Sequence, residues 1–424
     1  MKKIITLFSL LFTLLLTAQS TYLHCGKLID TKKGKVLNEM TVIITGNKIT
    51  DVKKGYVQAL SDKDITIDLK TKTVMPGLID MHVHIEGEYD KYSYVNRFRL
   101  EDADVAFKST VFAKRTLLAG FTTVRDLGGS GINIALRKAI NNGTVIGPRI
   151  YTAGKAIGTT GGHADPTNGV RKELRGNPGP KEGVINSPAD ARKAVRQRYK
   201  DGADVIKITA TGGVLSVAKD GSGPQFTMEE LTAIVETAND YGMISAAHAH
   251  GAEGMKRAVL AGITTIEHGT LMTDEIMDLM KQKGTYYVPT ITAGKYVAKM
   301  AAVKGFYPAL VVPKALAIGP QIQNTFAKAN KNGVLIAFGT DAGVFPHGQN
   351  GKEFGYMVEA GMSPMKAILS ATSVNAKVLK NDGIGSIEVG KLADIIAVDE
   401  DPIKNIHTLE KVSFVMKGGK VYKQ

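Results

Sequence analysis

Seven of the nine histidines in this sequence lie where a short apolar segment ends, and such a pattern could build a metal site. His82 and His84 form the run His-Val-His behind the apolar segment 74–81. Side chains alternate between the two faces of a strand, so residues two apart project to the same side. Two neutral imidazoles placed in this way can hold one cation. The other five are His163, His248, His250, His268 and His347.

An acidic and a basic residue complete the set of reactive groups. Asp341 follows the apolar segment 335–340, and its carboxylate could ligate a metal and accept a proton from a metal-bound water. Lys207 lies inside the apolar segment 205–208, so a barrel would bury its ammonium. A buried lysine of lowered pKa reacts as a free amine, and its carbamylation by CO₂ would create an anion able to bridge two cations. The alternative is a structural lysine paired with Asp341, which predicts no second metal.

The middle of the chain repeats a unit that would bring these residues together. An amphipathic stretch, a glycine and a short apolar segment recur along it. The eight predicted strands are 74–81, 121–124, 149–152, 204–209, 243–247, 263–267, 285–289 and 334–339. Ser187, Thr227, Thr273 and Ser363 have the signature of helix N-caps. Eight such units favour a (β/α)8 TIM-type barrel, in which functional groups gather at the carboxyl ends of the strands. A doubly wound sheet is less favoured, because no glycine fingerprint follows the first strand.

The two ends of the chain differ from this repeat. Segments 41–44 and 48–52 are rich in β-forming residues and are joined by Gly46-Asn47, which indicates a hairpin. Similar β-rich segments return near the other end of the sequence. We therefore expect three parts: a signal peptide at 1–18, a barrel at 76–384, and a small β-sandwich domain built from 19–75 plus 385–424.

The first residues have the layout of a secretory signal peptide. Lys2 and Lys3 precede the apolar run 4–16, and small and polar residues follow. A run of about 13 residues is shorter than the about 20 that span a bilayer, so we expect cleavage near Ala18. The mature chain would be periplasmic or extracellular, without a stable membrane anchor; a retained N-terminal anchor is the alternative. Cys25 is the only cysteine and fits a buried strand position.

Composition excludes several other classes of protein. The 424 residues are 43% hydrophobic and 22% charged, which argues against disorder, a disulfide scaffold and a multi-span membrane protein. The net charge of +14 suggests a nucleic-acid binder. However, the basic residues are spread over predicted helix faces, without an aromatic-interleaved basic motif. We expect a small-molecule substrate, no nucleic acid, and a homo-oligomer.

A series of motifs along the chain resembles the metal-dependent amidohydrolase superfamily. The resemblance is to its imidazolonepropionase-like branch, which includes secreted Xaa-Pro dipeptidase-type enzymes. The motifs are MPGLIDMHVH (75–84), TTVRDLGG (122–129), GTTGGH (158–163), DVIKITATGGVLS (204–216), AAHAHG (246–251), TIEHG (265–269), FGTDAG (338–343) and GSIEVGKLADIIAVD (385–399). They occur in order over the whole mature chain, and they are more specific for the superfamily than for a substrate.

The resemblance implies a centre of two divalent metal ions, with zinc as the expected element. His82, His84 and Asp341 would hold one ion, and His248 and His268 the other. Carbamylated Lys207 and a hydroxide would bridge the two ions. His248 is preferred to His250 because it ends the predicted strand directly.

Two residues have catalytic roles in this interpretation. Asp341 would take the proton of the water and pass it to the leaving amine. His163, on a glycine-rich loop, would support the carbonyl oxygen as it becomes an oxyanion, and a loop-ordering histidine is the alternative.

Further residues are candidates for substrate contacts, namely Arg125, His250, Tyr286, Tyr287 and His347. Barrel packing or structural ion pairs are the alternatives for Arg125 and the two tyrosines. The loop 155–187 carries Arg171, Lys172, Arg175 and Lys181. A long loop after a barrel strand is usually functional, and this one could attract an acidic substrate.

Three functions are compatible with the motifs. The first is hydrolysis of a dipeptide of Xaa-Pro type, or of an N-acyl amino acid such as an ochratoxin-type amide. The second is a mononuclear imidazolonepropionase-like hydrolase of cyclic amides, or a deaminase. In those relatives a glutamate closely follows the strand-5 histidine and the bridging lysine is missing, whereas AAHAHG has no such glutamate and Lys207 is present. The third is a metal-free scaffold protein, which the retention of all six expected ligands disfavours.

Overall fold

The computed structural model describes residues 19–219 and 221–424. The predicted signal peptide lies outside the described residues. The strands are β1 (Ser20–Asp30), β2 (Lys35–Thr45), β3 (Lys48–Lys54), β4 (Ile65–Pro76), β5 (Leu78–Val83), β6 (Phe121–Asp126), β7 (Arg149–Thr152), β8 (Gly158–Thr159), β9 (Val184–Ile185), β10 (Val205–Thr209), β11 (Ile244–Ala249), β12 (Thr265–His268), β13 (Tyr286–Val288), β14 (Ile395–Val398), β15 (Phe414–Lys417) and β16 (Lys420–Lys423).

The helices fill most of the segments between the central strands. They are α1 (Ser93–Asn96), α2 (Asp102–Leu118), α3 (Ile132–Asn141), α4 (Pro188–Asp201), α5 (Met228–Asp240), α6 (Ala252–Leu260), α7 (Asp274–Lys283), α8 (Ile291–Ala301), α9 (Val312–Ile318), α10 (Gln321–Lys331), α11 (Lys352–Glu359), α12 (Pro364–Leu369) and α13 (Asn375–Val378). Short 3₁₀ turns at Lys172–Leu174 and Ile406–Glu410 and a π turn at Ser370–Val374 complete the elements. Among the described residues, no helix has both the length and the apolar character needed to cross a membrane.

Eight parallel segments close into the expected barrel. The strands β5, β6 and β7 pair in sequence, as do β10, β11, β12 and β13. A parallel bridge between Ile157 and Ile208 joins the two groups. The circle is completed by the segment 336–342, which bridges β13 at Ile336 and β5 at Ala342. The predicted TIM-type fold is therefore confirmed. Its eighth segment, 336–342, makes isolated β-bridges and does not form a regular strand.

Local sequence chemistry explains why the helices begin where they do. The hydroxyls of Ser187, Thr227, Thr273 and Ser363 each accept a hydrogen bond from the backbone N–H three residues later. Such caps satisfy amides that have no partner inside the helix. All four predicted N-caps are confirmed. At the other end, Gly202 stops α4 with a φ of 93°, a left-handed conformation that favours glycine.

Both termini contribute to one separate sheet. Its seven strands run in the order β16-β15-β14-β4-β1-β2-β3, so the first and last parts of the chain meet where β14 pairs with β4. The strands expected to form a small sandwich are thus continuous in one mixed sheet. Its apolar face buries Leu23, Cys25 and Phe414 completely. Asp394 lies next to β14, and its Oδ2 is 2.7 Å from Nη1 of Arg149 at the amino end of β7. The terminal sheet therefore contacts the barrel on the side away from the carboxyl ends of the barrel strands.

Candidate metal centre

His82 and His84 lie at the carboxyl end of β5, and the Nδ1 atom of each ring is held by a hydrogen bond. His82 Nδ1 is 2.9 Å from a carboxylate oxygen of Glu267, and His84 Nδ1 is 2.9 Å from the carbonyl oxygen of Gly128. A carbonyl oxygen only accepts, so Nδ1 of His84 carries the proton. This leaves both Nε2 atoms directed at Asp341 Oδ1, at 3.4 and 3.2 Å.

Electrostatics around this pair fit a site that is prepared to receive a cation. Burial lowers the pKa of His82 to about 4, so its imidazole is neutral at pH 7. Although burial desolvates His84 as well, its hydrogen bond to Asp341 raises the pKa of its imidazole above the ordinary value. His82 Nε2 is buried and makes no hydrogen bond within residues 19–219 and 221–424. The lone pair of His82 Nε2 faces the carboxylate of Asp341, and a divalent cation placed between them would be bound by both groups.

His268 and Asp341 approach the same point through unusual backbone geometry. Their φ angles are 69° and 61°, in the left-handed region that non-glycine residues seldom adopt. His268 Nδ1 is 2.7 Å from the hydroxyl of Thr290, which itself has a φ of 54°. One ligand atom each from His82, His268 and Asp341 lie within 4.8 Å of one another, so these three residues could hold a metal ion. Strained backbone at this position is typical of functional sites.

Two further histidine rings lie beside His268, and a third stacks on one of them. The ring centroids of His248 and His250 are 4.7 and 5.1 Å from that of His268. His163 stacks on His248 with centroids 4.3 Å apart. His248 Nε2 is 3.2 Å from the carbonyl oxygen of Gly212, so this nitrogen carries the proton and Nδ1 is the atom available to a metal.

Lys207 lies in β10 and is only 4% exposed. Its burial lowers the pKa to about 8, although the carboxylates of Glu267 and Asp341 act in the opposite direction. A substantial fraction of its amine is therefore neutral near physiological pH. The amine required for carbamylation is thus present among the histidines.

A cavity of about 1210 Å³ opens above these residues. His82, His84, His163, Lys207, His248, His250, His268 and Asp341 all line it. Its outer wall includes the apolar side chains of Leu100, Val105, Phe112, Leu215, Val297 and Ile318. The roof segment 213–218 is tied down by Tyr94, which donates to the carbonyl of Leu215, and by the ammonium of Lys314. The cavity therefore combines a polar floor with apolar walls, as small-molecule sites generally do.

Comparison with known proteins agrees with this geometry. The model of the family described as "Amidohydrolase family" matches residues 73–422. The chain belongs to the amidohydrolase family. This amidohydrolase is a hydrolase acting on C–N bonds, and His82, His268 and Asp341 are positioned to bind a divalent metal.

Three relatives illustrate where it lies in the family. It is 32% identical to an ochratoxinase from Aspergillus niger, over 96% of this chain and 87% of the relative. A crystal structure of a Xaa-Pro dipeptidase with bound methionine in its active site is 55% identical, with a TM-score of 0.93 and coverage of 96% and 100%. A prolidase complexed with N-methylphosphonate-L-proline is 31% identical, with a TM-score of 0.86 and coverage of 96% and 100%.

The amidohydrolase does not present all of the predicted substrate contacts to the cavity. His250 lines it, and its Nδ1 is 2.9 Å from the hydroxyl oxygen of Thr270. Tyr287 is completely buried and donates its hydroxyl proton to the carbonyl of His268. Tyr286 is the first residue of β13 and therefore lies at the amino end of the barrel, away from the cavity. The geometry therefore does not support a substrate contact for either tyrosine.

Arg125 and His347 also point elsewhere. Arg125 has no exposed surface, and its guanidinium is used by Met81, Thr265 and Glu267. His347 is 3% exposed and stacks on Phe112, with Nε2 3.0 Å from the carbonyl oxygen of Gly87. Both side chains are already satisfied by protein groups. Neither is among the described residues that line the cavity, so its geometry gives no support to their predicted substrate contacts.

The long loop after β7 reaches the cavity through different residues from those expected. His163, Ala164, Asp165 and Asn168 line it. The four basic residues at 171, 172, 175 and 181 are not among the residues that line it. The loop thus forms part of the wall, while its basic cluster lies outside the site.

Sequence reasoning missed the residues that support the candidate ligands. Glu267 holds His82, and Thr290 holds His268. Asp80 accepts hydrogen bonds from the backbone of His82 and from Thr340, which ties the first barrel strand to the last. A usable signal was present for two of them, because Asp80 and Glu267 are acidic residues inside apolar strands. Only pairing with a buried partner makes such a position tolerable.

Proposed function

We propose that this amidohydrolase is a binuclear metallohydrolase that cleaves the amide bond of a small acyl amino acid, foremost a dipeptide of Xaa-Pro type. The observation that carries the proposal is the convergence of five candidate ligands, four histidines and one aspartate, and a buried lysine on one cavity floor. A structural cluster would satisfy its own nitrogens and oxygens, whereas His82 Nε2 has no hydrogen-bond partner among the described residues.

Two sets of ligands follow from the positions of the side chains. His82, His84 and Asp341 would hold one ion, as the 3.4 and 3.2 Å distances from the two Nε2 atoms to Asp341 suggest. His248 and His268 would hold the second, with Lys207 as a carbamate between the two. When bound, a pair of divalent ions, for which zinc is our proposal, would lower the pKa of a water molecule and polarise the scissile carbonyl.

Asp341 is proposed to move the proton. Burial alone would oppose its ionisation, but His82 and His84 keep the pKa of its carboxyl below the usual value. Asp341 is therefore ionised and can accept a proton from the attacking water at Oδ1. Delivering this proton to the leaving nitrogen would complete the cleavage of the C–N bond.

His163 is proposed to stabilise the oxygen of the substrate carbonyl. It lines the cavity, and its Nδ1 makes no hydrogen bond to any residue that the structure describes. Desolvation lowers its pKa to about 3, so it is a neutral donor when the oxygen gains negative charge. A donor that is held in place before the reaction lowers the barrier to forming an oxyanion without reorganisation.

The substrate class is supported by the cavity walls and by the relatives. Apolar side chains such as Leu100 and Phe112 suit the ring of proline or an apolar acyl group. The relatives include a prolidase complexed with N-methylphosphonate-L-proline, and an ochratoxinase. We propose the Xaa-Pro dipeptide first, because the Xaa-Pro dipeptidase has 55% identity over nearly the whole chain. N-acyl amino acids are the alternative within the same chemistry.

A mononuclear enzyme is the second candidate. It is favoured by the group of candidate ligands found together among the described residues, which contains three side chains, those of His82, His268 and Asp341. An imidazolonepropionase from Fusobacterium nucleatum is 25% identical, over 85% of this chain and 85% of its own. One metal per chain and hydrolysis of cyclic amides are the expected results in this case.

The test combines a substrate screen with metal analysis. The purified mature chain would be offered a library of Xaa-Pro and other dipeptides together with N-acyl amino acids, and its metal content measured by mass spectrometry. We expect about two divalent ions per chain and the highest kcat/KM on a Xaa-Pro dipeptide. Lys207→Ala should abolish turnover. One ion per chain, with turnover unaffected by this change, would refute the binuclear proposal.

Export is proposed separately, on the basis of the first residues of the sequence. If a signal peptide is removed near Ala18, N-terminal sequencing of the mature protein should begin within a few residues of that position. Recovery of the chain with Lys2 and Lys3 intact would contradict the proposal.

A further inference from the structure

A buried ion pair lies directly beneath the candidate metal ligands. Glu267 in β12 and Arg125 in β6 both have no exposed surface. One carboxylate oxygen of Glu267 is 2.8 Å from Arg125 Nη2, and the other is 2.9 Å from His82 Nδ1. The pair thus links β12 and β6 to His82, the candidate ligand on β5. Its depth excludes contact with a substrate.

We propose that Glu267 and Arg125 are a positioning pair that holds His82 in the one tautomer able to bind a metal ion. The inference rests on the proposed metal site, and it assigns to Arg125 a role different from that of a substrate contact. An ionised carboxylate can only accept hydrogen bonds, so Glu267 requires the proton of His82 on Nδ1. The lone pair is then on Nε2, the atom that faces Asp341.

Arg125 makes this arrangement specific. Its Nε donates to the carbonyl of Met81 at 2.6 Å, and its Nη1 donates to the hydroxyl of Thr265 at 3.0 Å. The guanidinium is therefore locked in place, and it fixes the orientation of the Glu267 carboxylate. A buried carboxylate without a counter-charge would be costly. Arg125 supplies that charge without approaching the cavity.

An amide in place of the carboxylate should fail for a geometric reason. Glutamine at position 267 has one acceptor oxygen and one donor NH₂ group. If the oxygen faces His82, the NH₂ group faces the donors of Arg125. If the oxygen faces Arg125, the NH₂ group faces His82 Nδ1 and favours the tautomer whose proton is on Nε2. Either orientation disturbs the metal ligand, although the side chain has almost the same shape.

The same reasoning predicts a rescue. In the double variant E267Q/R125Q, the amide oxygen at position 267 can accept from His82, while the NH₂ group at that position donates to the hydroxyl oxygen of Thr265, which no longer accepts from Arg125. The double variant removes both charges and restores the hydrogen-bond polarity. A merely structural role for the pair predicts the opposite, because two substitutions of buried groups should be at least as damaging as one.

The experiment measures zinc affinity by competition with a chelating dye, in the wild type, E267Q, R125Q and E267Q/R125Q. We expect E267Q to bind zinc about 10- to 100-fold more weakly, the typical effect of removing a group that orients a metal ligand. The double variant should regain most of that loss. In ¹⁵N-labelled protein without metal, the imidazole signals of His82 should report a proton on Nδ1 in the wild type and in the double variant.

Arg198→Gln is the matched control. Arg198 is also buried, at 2% exposed, but it bonds to Pro180 and Lys181 away from the metal centre. Its loss should lower the melting temperature without changing zinc affinity. Should E267Q fail to fold, the comparison of R125Q with the double variant tests the same coupling, since the second substitution should raise affinity.

Two results would overturn the inference. The first is wild-type zinc affinity in E267Q, and the second is a double variant that binds no better than either single variant. Both are distinguishable from failure of the proposed function, which would appear in the wild-type protein itself as one ion per chain and turnover that does not depend on Lys207.

Discussion

Lys207 provides the sharpest quantitative prediction. Burial lowers the pKa of its ammonium from an ordinary value of 10.5 to about 8. At pH 7, roughly 10% of an amine with this pKa is neutral, against roughly 0.03% for an ordinary lysine. Only the neutral amine attacks CO₂, so carbamylation at Lys207 should be about 300-fold faster than at a solvated lysine of equal intrinsic reactivity.

The assay follows metal loading. Chain stripped of metal by a chelator would be reconstituted with zinc at pH 7, in CO₂-depleted buffer and in buffer with bicarbonate. We expect bicarbonate to raise the bound zinc from about one to about two ions per chain. At pH 6 the neutral fraction falls to roughly 1%, so the bicarbonate-dependent phase should be about tenfold slower.

Two lysine variants distinguish carbamylation at the metal site from reaction at surface lysines. Lys207→Met should bind about one zinc in both buffers, because it has no amine to carbamylate. Lys193→Met, on the exposed side of α4, should behave as the wild type. Two zinc ions in Lys207→Met, or loading of the wild type that is independent of bicarbonate between about pH 6 and 8, would refute the reasoning.

Three other predictions concern separate parts of the molecule. His82→Ala should lose zinc and activity, whereas His407→Ala, which removes an exposed histidine outside the barrel, should lose neither; metal analysis of the two variants decides this. Phe414→Ala should lower the free energy of unfolding by about 3–5 kcal/mol, since it empties a fully buried position in the terminal sheet; denaturant titration would contradict this with a loss below about 1 kcal/mol. Burial raises the pKa of the Cys25 thiol to about 12, so a thiol reagent at about pH 8 should label it only on unfolding, and rapid labelling of native protein would show that β1 opens.

Much of the architecture could be predicted from the sequence. The strand at Arg149–Thr152 is predicted with its observed bounds, and Thr227 is predicted as the cap of α5. These features are local, since a cap or a glycine stop acts within one helical turn. The eighth segment of the barrel, 336–342, is harder to predict from the sequence. It is held by isolated bridges to β13 and β5 and has little regular strand pairing of its own.

Within the site, the sequence singles out residues whose burial is costly. A lysine inside an apolar strand, such as Lys207, is expensive to bury unless its charge is lost or paired, and the structure places it on the cavity floor. The substrate contacts of the two tyrosines and of Arg125 stay predictions that the geometry does not favour, because the register of each strand turns these side chains away from the cavity. That register depends on neighbouring strands and is not encoded in the strand itself.

The sequence by itself determined the order of strands and helices and the reactive groups at the strand ends, since periodicity and capping depend on neighbours along the chain. Only the tertiary structure decided which groups meet. Glu267 and His82 are separated by 185 residues, yet closure of the barrel places them 2.9 Å apart. That contact selects which nitrogen of His82 faces the cavity, because hydrogen-bond polarity is determined by the partner in space.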